Sequence, residues 1–349
     1  MKFHGDMDPP TAGRALAIIL GVYAAATVVT ALLAHVMGSP FELWFWDTAW
    51  LLAGVLAYIV LLGVVWDGTL VAIGLVSEAA WRRRGRAGTS PVSVESMRAW
   101  RFFTCGLPPI GMLLATSLAI LGTSNITLLS LKLIGNLTQW RDPFYWSIEG
   151  PLLMHLPRLS IDPAPWDRLY HSAWLLELLA AFALIVIGRG RRYLLEYCVS
   201  MIVLFYVGRI LGMFNPVMGP AFHRPDVFAY LDGSLTSKAM EKVAQVMSQP
   251  PETLERTSGI LLGGVSAMPS LHIAMVALTA IWLGAAHRWT LFVTVPWVLL
   301  VWTSTVLLGW HYIVDGAAGL LLAVASALLA KYALARASGA PVGVEQRAS

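Results

Sequence analysis

Continuous apolar stretches of roughly twenty residues recur along most of this chain, and no other feature constrains its folding as much. One such stretch crosses the hydrocarbon of a bilayer as a helix, because backbone inside lipid must satisfy its own hydrogen bonds. The stretches are continuous rather than alternating, which excludes a β-barrel and predicts an all-α polytopic membrane protein. Composition agrees. Of 349 residues, 57% are hydrophobic and 13% charged, where a soluble domain carries about 25% charged residues. The net charge of +4 is small, and no long basic run points to nucleic acid. Cys105 and Cys198 lie inside or beside apolar runs. They read as two buried thiols rather than one bridge, with no zinc spacing. The first apolar run begins near Ala12 and is long enough to span, unlike a cleavable signal peptide.

Eight spans are expected, at approximately 12–37, 47–76, 102–123, 172–188, 193–214, 267–285, 290–309 and 312–333. Asp67 interrupts the second, which predicts a tilt or kink there. Between the third and fourth lies a segment rich in Trp and Pro, with Trp140, Trp146 and Trp166, expected to form short interfacial helices. Orientation follows from lysine and arginine in the loops. Arg82, Arg83, Arg84, Arg86, Arg98 and Arg101 follow span two, Arg189, Arg191 and Arg192 follow span four, and Lys331 and Arg336 follow span eight. One orientation makes all of these cytoplasmic, with both chain ends inside and the long segments 124–171 and 215–266 outside. Anionic-lipid contact is a secondary reading of the Arg82–Arg86 cluster.

Polar residues in or beside spans are costly and therefore candidates for a site. Two clusters stand out. Met268-Pro269-Ser270-Leu271-His272 follows Gly263-Gly264 and opens an apolar run, so a helix should begin there with its free amides and positive dipole suited to a phosphate. Ser304 precedes Gly309-Trp310-His311-Tyr312-Ile313-Val314-Asp315-Gly316, in which His311 and Asp315 are four residues apart and share a helical face. The predicted topology brings His272 and His311 to the same extracytoplasmic rim. A histidine nucleophile backed by a carboxylate, opposite a second histidine able to act as acid, is an apparatus for phosphoryl transfer. It requires no metal or other cofactor if amides and cationic side chains hold the oxygens.

Pro269-Ser270-Leu271-His272 and Ser304-x6-His311-x3-Asp315 resemble the second and third motifs of the type 2 phosphatidic acid phosphatase superfamily of membrane lipid phosphatases and phosphotransferases. Leu271 and the His-Tyr-x-x-Asp form are nearest its inositol phosphorylceramide synthase-like branch. The resemblance covers roughly the last 150 residues, spans five to eight. It implies that His311 takes the phosphoryl group, Asp315 orients it, His272 protonates the leaving group, and Ser270 and Ser304 help hold the phosphate. The pattern departs at two cations: Thr305 follows Ser304 where the family has arginine, and Val217 stands at the lysine position upstream of Arg224-Pro225. Arg209, near the outer end of span five, and Arg224 with His223 are the candidate replacements.

Each of these residues also has a plainer reading. His272 could be an interface histidine, Asp315 a helix cap, and Ser304 a hydroxyl bonded back to its own helix. Arg209 could snorkel or pair with Glu177. His35, Asp47 and Asp67 read as buried helix-to-helix contacts, and Asn125 and Asn136 as surface features. Residues 215–262, with a polar helix-like stretch around Ser237–Met247, are expected to cover the site, or else to connect passively.

The expected organisation is N-terminal transmembrane helices over 1–190, a catalytic helical core over 191–335, and a cytoplasmic tail over 336–349. The expected function is a multi-pass cell-membrane enzyme that transfers or hydrolyses a phosphate-linked lipid headgroup through a phosphohistidine. Its partners would be a lipid phosphate and an acceptor alcohol or water. Loss of the two cations favours transfer over simple phosphatidate hydrolysis. A lipid-phosphate or polyprenyl-phosphate phosphatase is the alternative, and a non-catalytic lipid binder or transporter is the alternative of another class. Internal repeats, common in transporters, are absent from the sequence.

Overall fold

Apolar runs longer than a helical nucleus, with few glycine or proline breaks, fold here as helices throughout. The structure, a computed structural model, describes residues 12–43, 46–98, 101–103, 108–137, 140–159, 161–187, 191–247 and 266–337. Among these it contains α-helices and short 3-10 turns and no strand. The α-helices are α1 (Ala12–Met37), α2 (Trp46–Arg83), α3 (Pro108–Gly122), α4 (Ser124–Leu137), α5 (Asp142–Leu153) and α6 (Pro163–Ile187). They continue as α7 (Arg191–Phe214), α8 (Pro220–His223), α9 (Leu235–Met247), α10 (Leu271–Ala286), α11 (Leu291–Leu307) and α12 (Ile313–Ala337).

Six helices among the described residues are long and apolar enough to cross a membrane, and α6 makes a seventh if its two halves are taken as one span. The expected eighth is α10. At 16 residues it is about 24 Å long, short of the roughly 30 Å hydrocarbon core. It is the buried centre of the bundle, packed against α6, α7, α11 and α12. Helix α7 lies beside it, with Cys198, Ile202 and Phe205 in the shared core, and Trp282 donates from α10 to the Ser200 hydroxyl of α7 at 3.2 Å. Helices α1, α2 and α11 are mostly exposed along their apolar windows, as surfaces that face lipid must be. Cys198 is a free buried thiol, and Cys105 lies outside the described residues.

Several expectations about the spans change. The third runs over Pro109–Leu133, not 102–123, because α3 and α4 follow each other with only Thr123 between them. Asn125 is consequently buried rather than on the surface; it accepts from the Glu42 amide at 2.9 Å and donates to the Glu42 carbonyl at 2.8 Å. The Asn136 side chain is outside the described set. Helix α2 runs unbroken through Asp67, whose carboxylate turns sideways to accept the amides of Phe102 and Phe103. His35 is exposed, not buried, and Asp47's side chain is outside the described set.

One end of the bundle gathers the starts of α6, α10 and α12 and the ends of α7 and α11. The 124–171 segment supplies the expected surface helix there: α5 turns Phe144, Ile148 and Leu152 outward and Asp142 and Leu153 inward. Helix α9 is attached to the same end by Asp167 of α6, whose carboxylate accepts from the Leu235 and Thr236 amides and the Thr236 hydroxyl. The expected cover over 215–262 is thus a folded, anchored segment as far as Met247, and residues 248–262 lie outside the described set.

Candidate active site

The second motif forms the entrance to α10. Ser270 is the helix N-cap, extended at ψ 109°, and its Oγ accepts from the Ile273 amide at 3.4 Å. This is the ordinary reason for serine before an apolar helix, and it leaves the O–H to donate elsewhere. His272 sits half-buried in the first turn. The motif rests on α7 because Gly208 and Gly212 carry no side chain: a Cβ at Gly212 would lie 2.9 Å from Ser266 Cβ and 3.2 Å from the Met268 carbonyl.

The third motif is a tight turn between α11 and α12. Gly309 has φ +69°, the left-handed region that L side chains rarely adopt, and a Cβ there would collide with Ala221 and Phe228. The turn delivers His311, buried, to the foot of α12. Asp315, fully buried in the first turn of α12, accepts the Tyr312 amide through Oδ2 at 2.8 Å, and the same oxygen lies 3.5 Å from His311 Nδ1. The cap reading and the orienting reading of Asp315 are therefore both realised by one oxygen. A 3.5 Å approach is long for a hydrogen bond, as catalytic contacts often are before substrate tightens them.

The two motifs meet. The Ser270 amide donates to the Asp315 carbonyl at 3.0 Å, and Gly319 lets α12 lie against the Ser270 carbonyl. The imidazoles of His272 and His311 are 6.3 Å apart between ring centroids, inclined by 58°. His272 is stacked on Tyr170 of α6 at 4.4 Å, with the phenol oxygen 3.4 Å from His272 Nδ1, and Trp310 is stacked on Tyr170 at 5.7 Å. The Trp310 indole donates to the Thr236 hydroxyl, which itself donates to Asp167. His311 thus has a carboxylate at its Nδ1 and His272 a phenol.

Residues 164–329 match the family model described as the PAP2 superfamily. The chain carries a PAP2-superfamily domain. The match begins in α6, one helix upstream of the spans on which the motif resemblance was drawn, and so includes Tyr170. No curated protein and no solved structure gives a significant match.

Within the PAP2 domain the remaining candidates are placed less uniformly. Ser304 is buried and donates its hydroxyl to the Val301 carbonyl of its own helix at 2.7 Å. Thr305, at the family's arginine position, is buried and donates to the Trp302 carbonyl. Val217, at the lysine position, is fully buried against Leu153, Ala267 and Tyr312. Arg209 is buried beside Pro269 and Leu271, with its guanidinium bonded to Thr127 Oγ1 of α4. Glu177, its suggested partner, accepts from Thr279 instead. Arg224 forms a two-pronged pair with the exposed Asp226, at 2.8 and 2.7 Å, and lies over the Trp146 ring.

The motif pattern did not point to three carboxylates that hold this end together: Asp142 and Glu149 on α5 and Asp167 on α6. Asp142 accepts the Met218 and Gly219 amides, each at 2.9 Å; Glu149 accepts the Ile313 and Val314 amides at 2.6 and 2.9 Å. Burial raises both Asp142 and Glu149 above the ordinary carboxylate range, and Asp315 adds to the effect at Glu149. The available signal was their seven-residue spacing on an otherwise apolar interfacial helix. A cavity of about 550 Å³ opens beside α5, lined by Trp140, Arg141, Phe144, Phe222 and His223 among others. No group of three or more His, Cys, Asp or Glu side chains among the described residues is placed to share a metal ion.

Proposed function

We propose that this PAP2-domain protein is a membrane phosphotransferase acting on a phosphate-linked lipid headgroup through a phosphohistidine. The observation that carries the reading is the approach of the His272 and His311 rings to 6.3 Å, with Asp315 behind His311. A phosphoryl group between the rings lies within the roughly 3 Å reach of a nitrogen from each. With Nδ1 facing Asp315, Nε2 is the nucleophilic nitrogen of His311. It attacks phosphorus as the bond to the leaving oxygen breaks, and His272 gives its proton to the departing alcohol. An acceptor alcohol then attacks the phosphohistidine, its proton passes to His272, and the N–P bond breaks. Water in place of the alcohol makes the same sequence a hydrolysis.

Ser270, donating from the head of α10, and Arg209, behind the same turn, are the proposed phosphate-holding groups. Ser304 and Arg224 contribute less, since their polar atoms are already engaged in the contacts described. The 550 Å³ cavity beside α5 offers room for a headgroup or acceptor. The helix ends and loops at the opposite end carry Arg82, Arg83, Arg84, Arg86, Arg98, Arg101 and Lys331, which supports an extracytoplasmic site with both termini inside, in the cell membrane.

The test uses purified full-length protein in nanodiscs with a headgroup-³²P phospholipid or a polyprenyl phosphate. Release of phosphate or formation of a new lipid is expected, with acid-labile, base-stable label on the wild-type protein and none on His311→Ala. Turnover that survives His311→Ala refutes the nucleophile. Specific lipid binding without turnover by any lipid phosphate, with or without added alcohols, favours the non-catalytic reading.

A further inference from the structure

Helix α5 lies upstream of the matched segment 164–329, yet it bonds to the 218–219 loop and to the first turn of α12. Its inward face is set by residues 142, 145, 149 and 153, spaced by three and four and therefore on one side of a helix. Asp142 takes the Met218 and Gly219 amides, and the Tyr312 hydroxyl lies 3.4 Å from its carboxylate. Tyr145 packs its ring 5.7 Å from that of Tyr312 and accepts from Asn215 at 2.9 Å. Glu149 accepts the first two amides of α12, and Leu153 packs with Val217, Ala267 and Tyr312.

The first turn of a helix leaves amides without internal partners. At α12 those of Ile313 and Val314 go to Glu149, and that of Tyr312 goes to Asp315. His311 lies two residues before α12, and its amide donates to the Thr305 carbonyl of α11 at 3.3 Å. The backbone before the helix is thus held by α11, whereas the amides that open α12 depend on carboxylates, one of them from outside the segment. That outside carboxylate is Glu149 of α5.

We propose that Glu149 is a positioning residue for the phosphoryl transfer inferred above, on which this role rests: it seats the first turn of α12 so that His311 faces His272, with Asp142 holding the adjoining 218–219 loop against Tyr312. Glu149 touches neither imidazole. It acts through the Ile313 and Val314 amides, and a shorter or neutral side chain loosens the turn without altering the nucleophile.

The test uses the full chain in nanodiscs, with Glu149→Ala, Glu149→Gln and Asp142→Asn. Two readouts are followed: steady-state turnover of the labelled lipid phosphate, and hydrogen exchange of the peptide covering 309–316. Glu149→Ala is expected to lower kcat by about 100-fold, the penalty of an ångström-scale misplacement, with KM within about twofold. The Ile313 and Val314 amides should exchange faster. Glu149→Gln, which keeps one acceptor oxygen, should fall between Ala and wild type in both readouts, and Asp142→Asn should lower kcat without accelerating exchange at 313–314. A folded Glu149→Ala protein with kcat within about threefold of wild type, or with unchanged exchange at 313–314, overturns the proposal. If Glu149→Ala does not fold, Glu149→Gln decides by the same criteria. If wild type shows no turnover, or His311→Ala retains it, the reaction reading fails separately, and the clamp stands or falls on exchange alone.

Discussion

The packing of α12 on the second motif is made possible by a missing methyl group, and Gly319→Ala tests what that packing is for. An ideal Cβ at Gly319 would sit 2.5 Å from the Ser270 carbonyl oxygen, 3.2 Å from the Ala274 amide nitrogen and 3.3 Å from Ile273 Cβ. All three belong to backbone or to a Cβ in the first turn of α10, so no side-chain rotation relieves the contact. Restoring an ordinary 3.4 Å contact to the oxygen requires the helices to separate by about 0.9 Å. Overpacking of this kind costs about 1–3 kcal/mol, of which the better helix propensity of alanine recovers about 0.5–1 kcal/mol. The folded state should survive with a Tm lowered by a few degrees.

The site should not survive as well. The same displacement stretches the Ser270 amide to Asp315 carbonyl bond from 3.0 Å beyond hydrogen-bonding range and carries His311 away from His272. A misplacement near 1 Å costs about 100-fold in rate, or about 2.7 kcal/mol of activation free energy. Gly319→Ala is therefore expected to lose about two orders of magnitude in phosphoryl transfer, measured as ³²P release or new-lipid formation per folded protein. A well-folded variant that turns over within about threefold of wild type would show that this contact does not set the distance between the imidazoles.

Ser304→Ala should retain activity within about threefold, because its hydroxyl is already donated to the Val301 carbonyl; a tenfold loss would mean that the hydroxyl turns toward substrate. Asp315→Asn keeps an acceptor for the Tyr312 amide but removes the charge beside His311, so phosphohistidine formation in a single-turnover assay should slow by roughly 10²–10⁴-fold with little change in Tm. Tyr170→Phe preserves the stacking on His272 and removes the hydroxyl 3.4 Å from Nδ1; a fall of about three- to tenfold in kcat is expected, and wild-type kcat would exclude the hydroxyl from orienting His272. Burial raises the Glu149 carboxyl above its ordinary value of 4.5, so the folded state binds this proton more tightly than the unfolded chain. Its contribution to stability is then greatest below about 4.5 and declines as pH rises through the raised value. Glu149→Gln should flatten the decline in Tm measured over that window, and a steeper profile would contradict the assignment.

The membrane character of the chain and both motif clusters could be read from neighbouring residues alone. Span length, the proline and serine that open α10, and the four-residue step from His311 to Asp315 are local quantities, and local spacing determines which side chains share a helical turn. The expectation that both histidines reach one end needed only the order of apolar runs, since each crossing reverses the chain. Local reading failed where two polar groups far apart in sequence satisfy each other. Asn125 looked like a surface residue because its partner, Glu42, is 83 positions away. Asp67 looked like an interruption because the Phe102 and Phe103 amides it accepts come from beyond the end of its helix.

The same division runs through the site. Sequence pattern alone nominated His272, His311 and Asp315, whose chemistry is rare inside a membrane and whose spacing is short. Only the folded chain revealed Tyr170 against His272, Gly319 beneath Ser270, and Asp142 and Glu149 gripping the segments around His311. Those contacts join residues from about 50 to more than 160 positions apart, and all but the Tyr170 contact are made to backbone atoms that every sequence possesses. A carboxylate holding two amides leaves no spacing to read, because the amides belong to no particular residue type. What the residue order determined was which groups could do chemistry, and what the packing of α5, α6, α10 and α12 decided was where those groups stand.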